Sequence, residues 1–358
     1  MKMRPLRLAI AGANPERGWA RDTHIPALAG IPAIELVAVS ARNQDIADAA
    51  AEAFGASRAY GDTLSMVRDP DVDVVAVTVK VPEHRAIVLA ALEAGKHVYC
   101  EWPLGRNLAE AREMADAARR SGLHVAVGLQ GANSVAVRHA AALVRDGAVG
   151  RPLALRVVSS TAGWGTTAPP HYAYLQDRSN GATLGTIAGG HTLAAAEAVV
   201  GACVEISARN SILLDTVEIA GTGERVRRSC ADHMLLTAKH ESGCVSSIEI
   251  VGGQPIPLRF ELRGVDGTLE IQGYHPGGYQ CAELQVVCSK TAQDQPLPAV
   301  GGLDGAAINV AQLWSQFEND IRDGTRTVPD FDKAVRLTRL LDAIETASDE
   351  GRTVALAD

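Results

Sequence analysis

Two rhythms of hydrophobic residues divide this chain. Up to about residue 130, short and mostly apolar runs recur: Leu6 to Ala11, Glu35 to Ser40, Val72 to Val79, His97 to Cys100 and Leu123 to Leu129. Helical patterns fall between them, from Trp19 through Leu28 and then at Gln44 to Phe54, Pro82 to Glu93 and Asn107 to Ser121. Apolar strands separated by helices predict a parallel, doubly wound sheet. After Gln130 the rhythm changes. Val135 to Asp146 is helical and closes at Gly147; alternating runs then begin at Leu153 to Ser160. They continue at Val204 to Asn210, Asp232 to His240, Val245 to Val251, Leu258 to Arg263, Thr268 to Ile271 and Ala282 to Cys288. Turn signals such as Gly252-Gly253 and His275-Pro276-Gly277-Gly278 separate them. Strands this closely spaced predict a largely antiparallel sheet with one face covered. The expected fold class is therefore α/β: a Rossmann domain over residues 1–130, and an α/β domain with a large, mostly antiparallel sheet over 131–358.

Chemistry concentrates where the parallel strands end, because ligands of open α/β sheets bind outside the carboxyl ends of the strands. After the first strand comes Gly12-Ala13-Asn14-Pro15-Glu16-Arg17-Gly18, then Trp19 and a helix start. A strand, a glycine turn and a helix N-terminus make an anion site. The strict G-x-G-x-x-G spacing is absent, and Asn14 stands where its middle glycine would be; an ordinary turn is the alternative. The second strand ends in Ser40-Ala41-Arg42-Asn43, without the acid that grips the ribose of NAD. A hydroxyl and a guanidinium there suit the extra phosphate of NADP, with NAD as the alternative. Lys80, after the third strand, is a candidate acid or base, or else a cofactor contact, and His84 lies one turn further on. The fourth strand runs into Glu101-Trp102-Pro103, a turn at the mouth of the expected cleft. Trp102 reads either as a flat wall for a ligand or as a core plug. Gln130 and Asn133 are candidate partners for ligand hydroxyls. In the second half, Gly189-Gly190-His191 enters a helix over Thr192 to Val200, where His191 reads as a proton acceptor or as a capped structural histidine. Trp164 between two glycines, and Tyr172 and Tyr174 after Pro169-Pro170, are pocket candidates; a tyrosine can donate a proton, stack on a sugar, or simply pack. Arg225-Val226-Arg227-Arg228 reads as a solvated basic turn.

Composition narrows the partners. The chain has 358 residues, 47% hydrophobic, and a net charge of −8, which gives no bulk attraction for nucleic acid or an anionic membrane. No apolar run is long enough to span a bilayer, and Met1 to Pro5 leads straight into a strand, so the expectation is a cytoplasmic protein without a signal peptide. The six cysteines form no Cys-x-x-Cys pair and read as free, buried thiols, with no metal site.

Several pieces together resemble the glucose–fructose oxidoreductase / inositol dehydrogenase / MocA family. They are the strand-turn start, His24-Ile25-Pro26-Ala27-Leu28, Gly95-Lys96-His97-Val98, Glu101-x-Pro103 and the Phe317 to Val354 pattern, and they span nearly the whole chain. Gly18-Trp19-Ala20, Val79-Lys80-Val81-Pro82, Glu101-Trp102-Pro103-Leu104 and Gly128-Leu129-Gln130-Gly131 are similar to a branch containing the fungal galactose-regulon repressor and its bacterial relatives. The resemblance implies cofactor contacts at Gly12, Asn14, Gly18, Trp19, Ser40, Arg42, Lys80, His84, Glu101, Trp102, Pro103 and Gln130. It implies a carbohydrate-like ligand, for which Trp102, Gln130, Asn133, Trp164, Tyr172 and His191 are the candidate contacts, and it makes His191 the catalytic candidate; Lys80 and Tyr174 are further catalytic candidates by their own chemistry. It also implies a homodimer or homotetramer, and helices over 306–350 that return to the main body. Family enzymes oxidise a sugar alcohol with a lysine in the Glu-Lys-Pro turn and an aspartate four residues before the histidine. Here those positions hold Trp102 and Ile187, and Ala194 replaces a second acid. Two functions are thus expected from the sequence: an NAD(P)-dependent oxidoreductase on a sugar, cyclitol or polyol, or a dinucleotide-binding sensor without turnover.

Overall fold

A computed structural model describes residues 4–290, 303 and 305–356. Residues group into two units, Met1–Gln130 with Val300–Val335, and Gly131–Ala299 with Arg336–Asp358. In the first unit six parallel strands form one sheet: β1 (Leu6–Ala11), β2 (Ile34–Ser40), β3 (Arg58–Tyr60), β4 (Val74–Val77), β5 (His97–Glu101) and β6 (Val125–Gly128), in the order β3-β2-β1-β4-β5-β6. The helices are α1 (Ile25–Ala29), α2 (Gln44–Phe54), α3 (Thr63–Val67), α4 (Val81–Glu93) and α5 (Leu108–Ser121). Strand order reverses direction between β1 and β4, the switch point at which such sheets bind ligands. Local chemistry sets the helix ends. The Asn43 and Asn107 side chains accept hydrogen bonds from the amides of Ile46 and Glu110, and Gly55 and Gly122 close α2 and α5 in the left-handed conformation.

The second unit is built on an eight-stranded mixed sheet. Its strands are β7 (Pro152–Thr161), β9 (Cys203–Ser211), β12 (His233–His240), β13 (Val245–Gly252), β14 (Leu258–Gly264), β15 (Thr268–Gly273), β16 (Leu284–Cys288) and β17 (Val354–Ala355). The order is β16-β15-β14-β7-β13-β12-β9-β17, and β7 runs parallel to β13 while every other pairing in this sheet is antiparallel. Three short strands, β8 (Thr167–Ala168), β10 (Thr216–Ile219) and β11 (Arg225–Arg227), form a small sheet that the hydrophobic pattern does not announce. One face of the large sheet carries Met234, Leu236, Ile248, Ile250, Leu155, Val157, Phe260 and Leu262, all buried. Helices α6 (Val135–Arg145) and α7 (Gly190–Val200) belong to this unit, and a π turn over Gly185–Gly189 leads into α7. A Cβ at Gly185 would sit 3.3 Å from the Met234 sulfur, so the turn lies close on the sheet. The opposite face is open and mixed, with Leu235, Val245 and Val287 exposed beside an Arg156–Glu261 pair. The basic turn differs from its expectation: Arg225 and Arg227 are exposed on β11, whereas Arg228 is buried.

Helix α8 (Gly305–Asp323) completes the core of the first unit. Its Trp314 and Phe317 pack with Leu8, Ile10, Val74, Tyr99 and Ala126. Trp314 stacks on Tyr99 at 4.6 Å between ring centroids. A last helix, α9, spans Phe331–Glu350. Among the described residues no helix is long and apolar enough to cross a membrane, and all six cysteines are unpaired and buried.

Buried ionisable groups give this fold a pH signature. Burial lowers the pKa of His97, His124, His191 and His240, and takes His191 down to about 3. Unfolding returns each to about 6.5, so below that pH the unfolded chain binds protons that the folded chain does not, and stability falls as pH falls. Asp69, Asp73 and Asp320, held down by ionic and hydrogen-bond partners against burial, lose stability in the same direction as pH drops further. The melting temperature should decline steadily from pH 7 to pH 5 in a thermal scan; a flat profile over that range would contradict the burial of these imidazoles.

Candidate functional site

The strand ends of the first unit set out a dinucleotide cradle. Gly12 has φ +95°, and a Cβ there would meet Val79 Cγ1 at 2.9 Å, so only glycine fits between β1 and the β4–α4 turn. The Gly12 and Ala13 amides both donate to the Ser40 carbonyl, which sets the direction of the loop. Asn14 Oδ1 accepts from the Glu16 amide, Gly18 (φ +108°) closes the loop, and Trp19 caps the π turn Ala20–His24. The Trp19 indole N–H is buried without a hydrogen-bond partner among the described residues. A glycine-bracketed loop before a helical turn at the sheet's switch point fits the pyrophosphate of a dinucleotide. At the end of β2 the expected pair separates. Ser40 is fully buried, its hydroxyl bonded to that of Thr63 at 2.9 Å, whereas Arg42 is exposed. Of the two, Arg42 alone reaches the surface.

A chain of buried hydrogen bonds holds the Glu101-Trp102-Pro103 turn. The Trp314 indole Nε1–H donates to His24 Nδ1 at 3.0 Å, and His24 Nε2 lies 2.8 Å from Glu101 Oε1. An indole nitrogen can only donate, so Nδ1 accepts and Nε2–H donates to the carboxylate. A Cβ at Gly128 would fall 2.5 Å from Glu101 Oε2, so the glycine at the end of β6 leaves room for that carboxylate. Trp102 is buried beside it, and the Trp102–Pro103 bond is cis. His84 braces the turn from α4: Nε2 lies 3.0 Å from the Val79 carbonyl and Nδ1 3.0 Å from that of Pro103. Burial keeps its pKa low despite these carbonyls, so the ring is neutral and donates a single N–H. His84 thus differs from the expected cofactor contact, because both its nitrogens face the backbone. Lys80 is exposed at the N-cap of α4, which removes the apolar surroundings that the acid–base reading of its ammonium required. Gln130 is buried, with Oε1 unpartnered among the described residues.

In the second unit His191 lies in the first turn of α7. The Tyr279 hydroxyl donates to its carbonyl at 2.6 Å and the two rings meet edge to face. His191 Nδ1 is buried without a partner among the described residues, and burial alone takes its pKa to about 3. It is therefore neutral near pH 7. Ile187 and Ala194 place no carboxylate in this turn. Asn133 is buried at the start of the unit. Trp164 adopts φ +62°, a conformation a bulky side chain rarely takes, and its indole N–H donates to the Leu175 carbonyl at 3.2 Å. Gly252 and Gly253 let this loop lie close: a Cβ on Gly252 would meet Trp164 Cβ at 2.9 Å. Tyr172 is exposed against His171 in the turn Pro170–Gln176, and Tyr174 is half-buried, which pushes its hydroxyl up to about 12 and keeps it a neutral donor. Sequence reasoning missed Trp314, Tyr279 and the role of His24. Only the motif around His24 hinted at it, since each contact joins residues far apart in the chain. Among the described residues no cluster of three acidic, histidine or cysteine side chains could hold a metal.

Removing His24 strands both a buried carboxylate and an indole donor. His24→Ala should therefore cost about 2–4 kcal/mol in urea denaturation, and Trp314→Phe, which keeps the stack on Tyr99, about 1–2 kcal/mol. Unchanged stability in both variants would show that the chain of bonds carries no weight.

Comparison with known proteins agrees with this layout. Residues 6–129 match the model of the oxidoreductase family with NAD-binding Rossmann fold, and residues 136–273 match that of the Gal80p C-terminal domain. The dehydrogenase aclE of Aspergillus oryzae is 28% identical over 89% of this chain and 88% of its own length. Levoglucosan dehydrogenase of Pseudarthrobacter phenanthrenivorans is 27% identical over 87% of each. The crystal structure of a super-repressor mutant of Gal80p from Saccharomyces cerevisiae shares the fold, with a TM-score of 0.88 at 22% identity over 98% of each chain. Residues 6–129 are thus of the oxidoreductase-family NAD-binding Rossmann type, and residues 136–273 of the Gal80p C-terminal type.

Proposed function

We propose that the protein is an NAD(P)-dependent oxidoreductase acting on a carbohydrate-like alcohol or ketone. The observation that carries this reading is His191, a buried imidazole kept neutral by its surroundings, whose Nδ1 has no hydrogen-bond partner among the described residues. The bound nicotinamide would take or return the hydride. His191 would take the hydroxyl proton as the carbon–hydrogen bond breaks, and return it in the reverse direction. Tyr174, a neutral phenol, is the second proton donor at hand. Lys80 contributes charge near the cofactor. Trp164 and Tyr172 offer flat apolar faces to a sugar ring. The relatives named as dehydrogenases, one of them of levoglucosan, support this substrate class.

A second reading rests on specific residues. Trp102 and Ile187 stand where the family's lysine and aspartate act, and the second half is of the Gal80p type. These favour a dinucleotide-binding sensor without turnover. The cofactor in either case is NADP in preference to NAD, on the strength of Arg42 at a strand end without an acid. The open sheet face, with Leu235, Val245 and Val287 exposed between charged rows, supports a homodimer or homotetramer, and the unpaired thiols suit the reducing cytoplasm.

A panel of levoglucosan and other sugars and polyols, each with NADP and NAD, separates the two readings. Sugar-dependent formation of reduced nicotinamide supports the enzyme, and thermal stabilisation without turnover supports the sensor. If His191 is the base, His191→Ala should lower kcat by about a hundredfold or more while cofactor still binds. The wild-type rate should also show no loss near pH 6.5, because the folded imidazole protonates only at about 3. Retained turnover in the variant would remove His191 from the mechanism. Arg42→Ala should weaken NADPH about tenfold and leave NADH unchanged; equal affinities of the wild type for both would refute the NADP preference.

A further inference from the structure

Arg228 has no exposed side-chain surface, in a turn whose neighbouring arginines face solvent. A buried guanidinium is costly unless its nitrogens find acceptors. Its Nε donates to Gln176 Oε1 at 2.9 Å, one terminal nitrogen to Asp232 Oδ2 at 2.6 Å, and the other to the Gly165 carbonyl at 2.6 Å. These acceptors lie on three separate segments. Gly165 follows Trp164. Gln176 ends the turn that carries Tyr172 and Tyr174. Asp232 precedes β12 and accepts the amides of Leu213 and Leu214, each at 2.8 Å. Backbone bonds reinforce the join: the Arg228 amide donates to Asp215, the Ser229 amide to Gln176, and the Trp164 indole to Leu175.

We infer that Arg228 is the positioning residue that joins the Trp164 loop to the turn carrying Tyr172 and Tyr174, and that these joined segments receive a sugar ring. The receiving role rests on the carbohydrate reading above; the clamp itself does not. Nothing in the Trp164 loop alone explains why a tryptophan should hold φ +62°. The bond from Arg228 to the next residue's carbonyl, and the indole bond to Leu175, fix that conformation from both sides. Loop segments already ordered before the ligand arrives avoid the entropy loss of ordering them on binding. The planar fork of arginine is required, since a lysine can reach Asp232 but cannot span all three acceptors.

The test uses protein carrying fluorotryptophan. Its four tryptophans give four fluorine resonances, and Trp164→Phe identifies one of them. Arg228→Lys, which keeps a charge beside Asp232, should move or broaden the Trp164 resonance and leave that of Trp314 in place. Levoglucosan affinity should fall about tenfold while NADPH affinity is unchanged. Gln176→Met should act in the same direction, and Gln176→Glu, which retains the acceptor, should restore the wild-type signal. An unmoved Trp164 resonance in both Arg228→Lys and Gln176→Met overturns the clamp. A moved resonance with unchanged levoglucosan affinity overturns the receiving role. Failure of the wild type to bind levoglucosan or any other sugar of the panel counts against the carbohydrate reading, and the fluorine spectra then decide the clamp by themselves.

Discussion

The bond chain from Trp314 through His24 to Glu101 is the constraint on which the first unit's ligand face depends. It ties α8, the helical turn before α1 and the end of β5 to one carboxylate. Each member is buried, so each would cost free energy if left unpaired. The indole can only donate, which leaves the histidine a single tautomer and gives the carboxylate one N–H. Gly128 clears the space that Glu101 needs, and His84 supports the following Pro103 from the other side. The Glu-Trp-Pro turn is thereby held without the lysine that its family relatives carry. Glu101 serves the scaffold, and Trp102 sits buried next to it.

That separation of scaffold from chemistry frames the functional question. The first unit keeps the glycine turn, the switch point and an exposed Arg42. The second keeps His191 but has the aliphatic Ile187 in the turn before it. A carboxylate there would raise the imidazole pKa; burial acts in the opposite direction. With its pKa at about 3, His191 needs no partner to stay neutral at physiological pH. The second unit also commits several buried polar groups to holding a loop. Arg228 and Asp232 together fix Trp164, the tyrosine turn and the Leu213–Leu214 backbone. A buried ion pair seldom adds more stability than apolar packing of the same volume. Its placement behind an aromatic segment points to geometry as its use.

Much of the fold was legible because its signals are local. Leu8 to Ala11 and Val74–Val77 are apolar on both faces, and Asn43, Asn107, Gly55 and Gly122 mark helix ends in the sequence itself. The alternating strands of the second half also read correctly one by one. Their partners did not: the parallel pairing of β7 with β13 follows from tertiary packing and has no local mark. The short strands β3, β8, β10, β11 and β17 escaped because two to four residues carry no period. In the site, the positions of Gly12, Arg42 and His191 could be argued from strand ends and a family pattern. Ser40 reads the same whether its hydroxyl meets a phosphate or Thr63. Arg228 reads as solvated because two exposed arginines precede it, and only the acceptors at Gly165, Gln176 and Asp232 reveal otherwise.

The central claim is that a donor-only indole fixes His24 and, through it, the Glu101 turn. Heteronuclear NMR of the histidine ring nitrogens, with His24 assigned by substitution, tests it most directly. The account predicts a His24 ring protonated at Nε2 alone, with Nδ1 bare and hydrogen-bonded, and a switch of that Nδ1 signal in Trp314→Phe. A His24 protonated at Nδ1 in the native protein would contradict it.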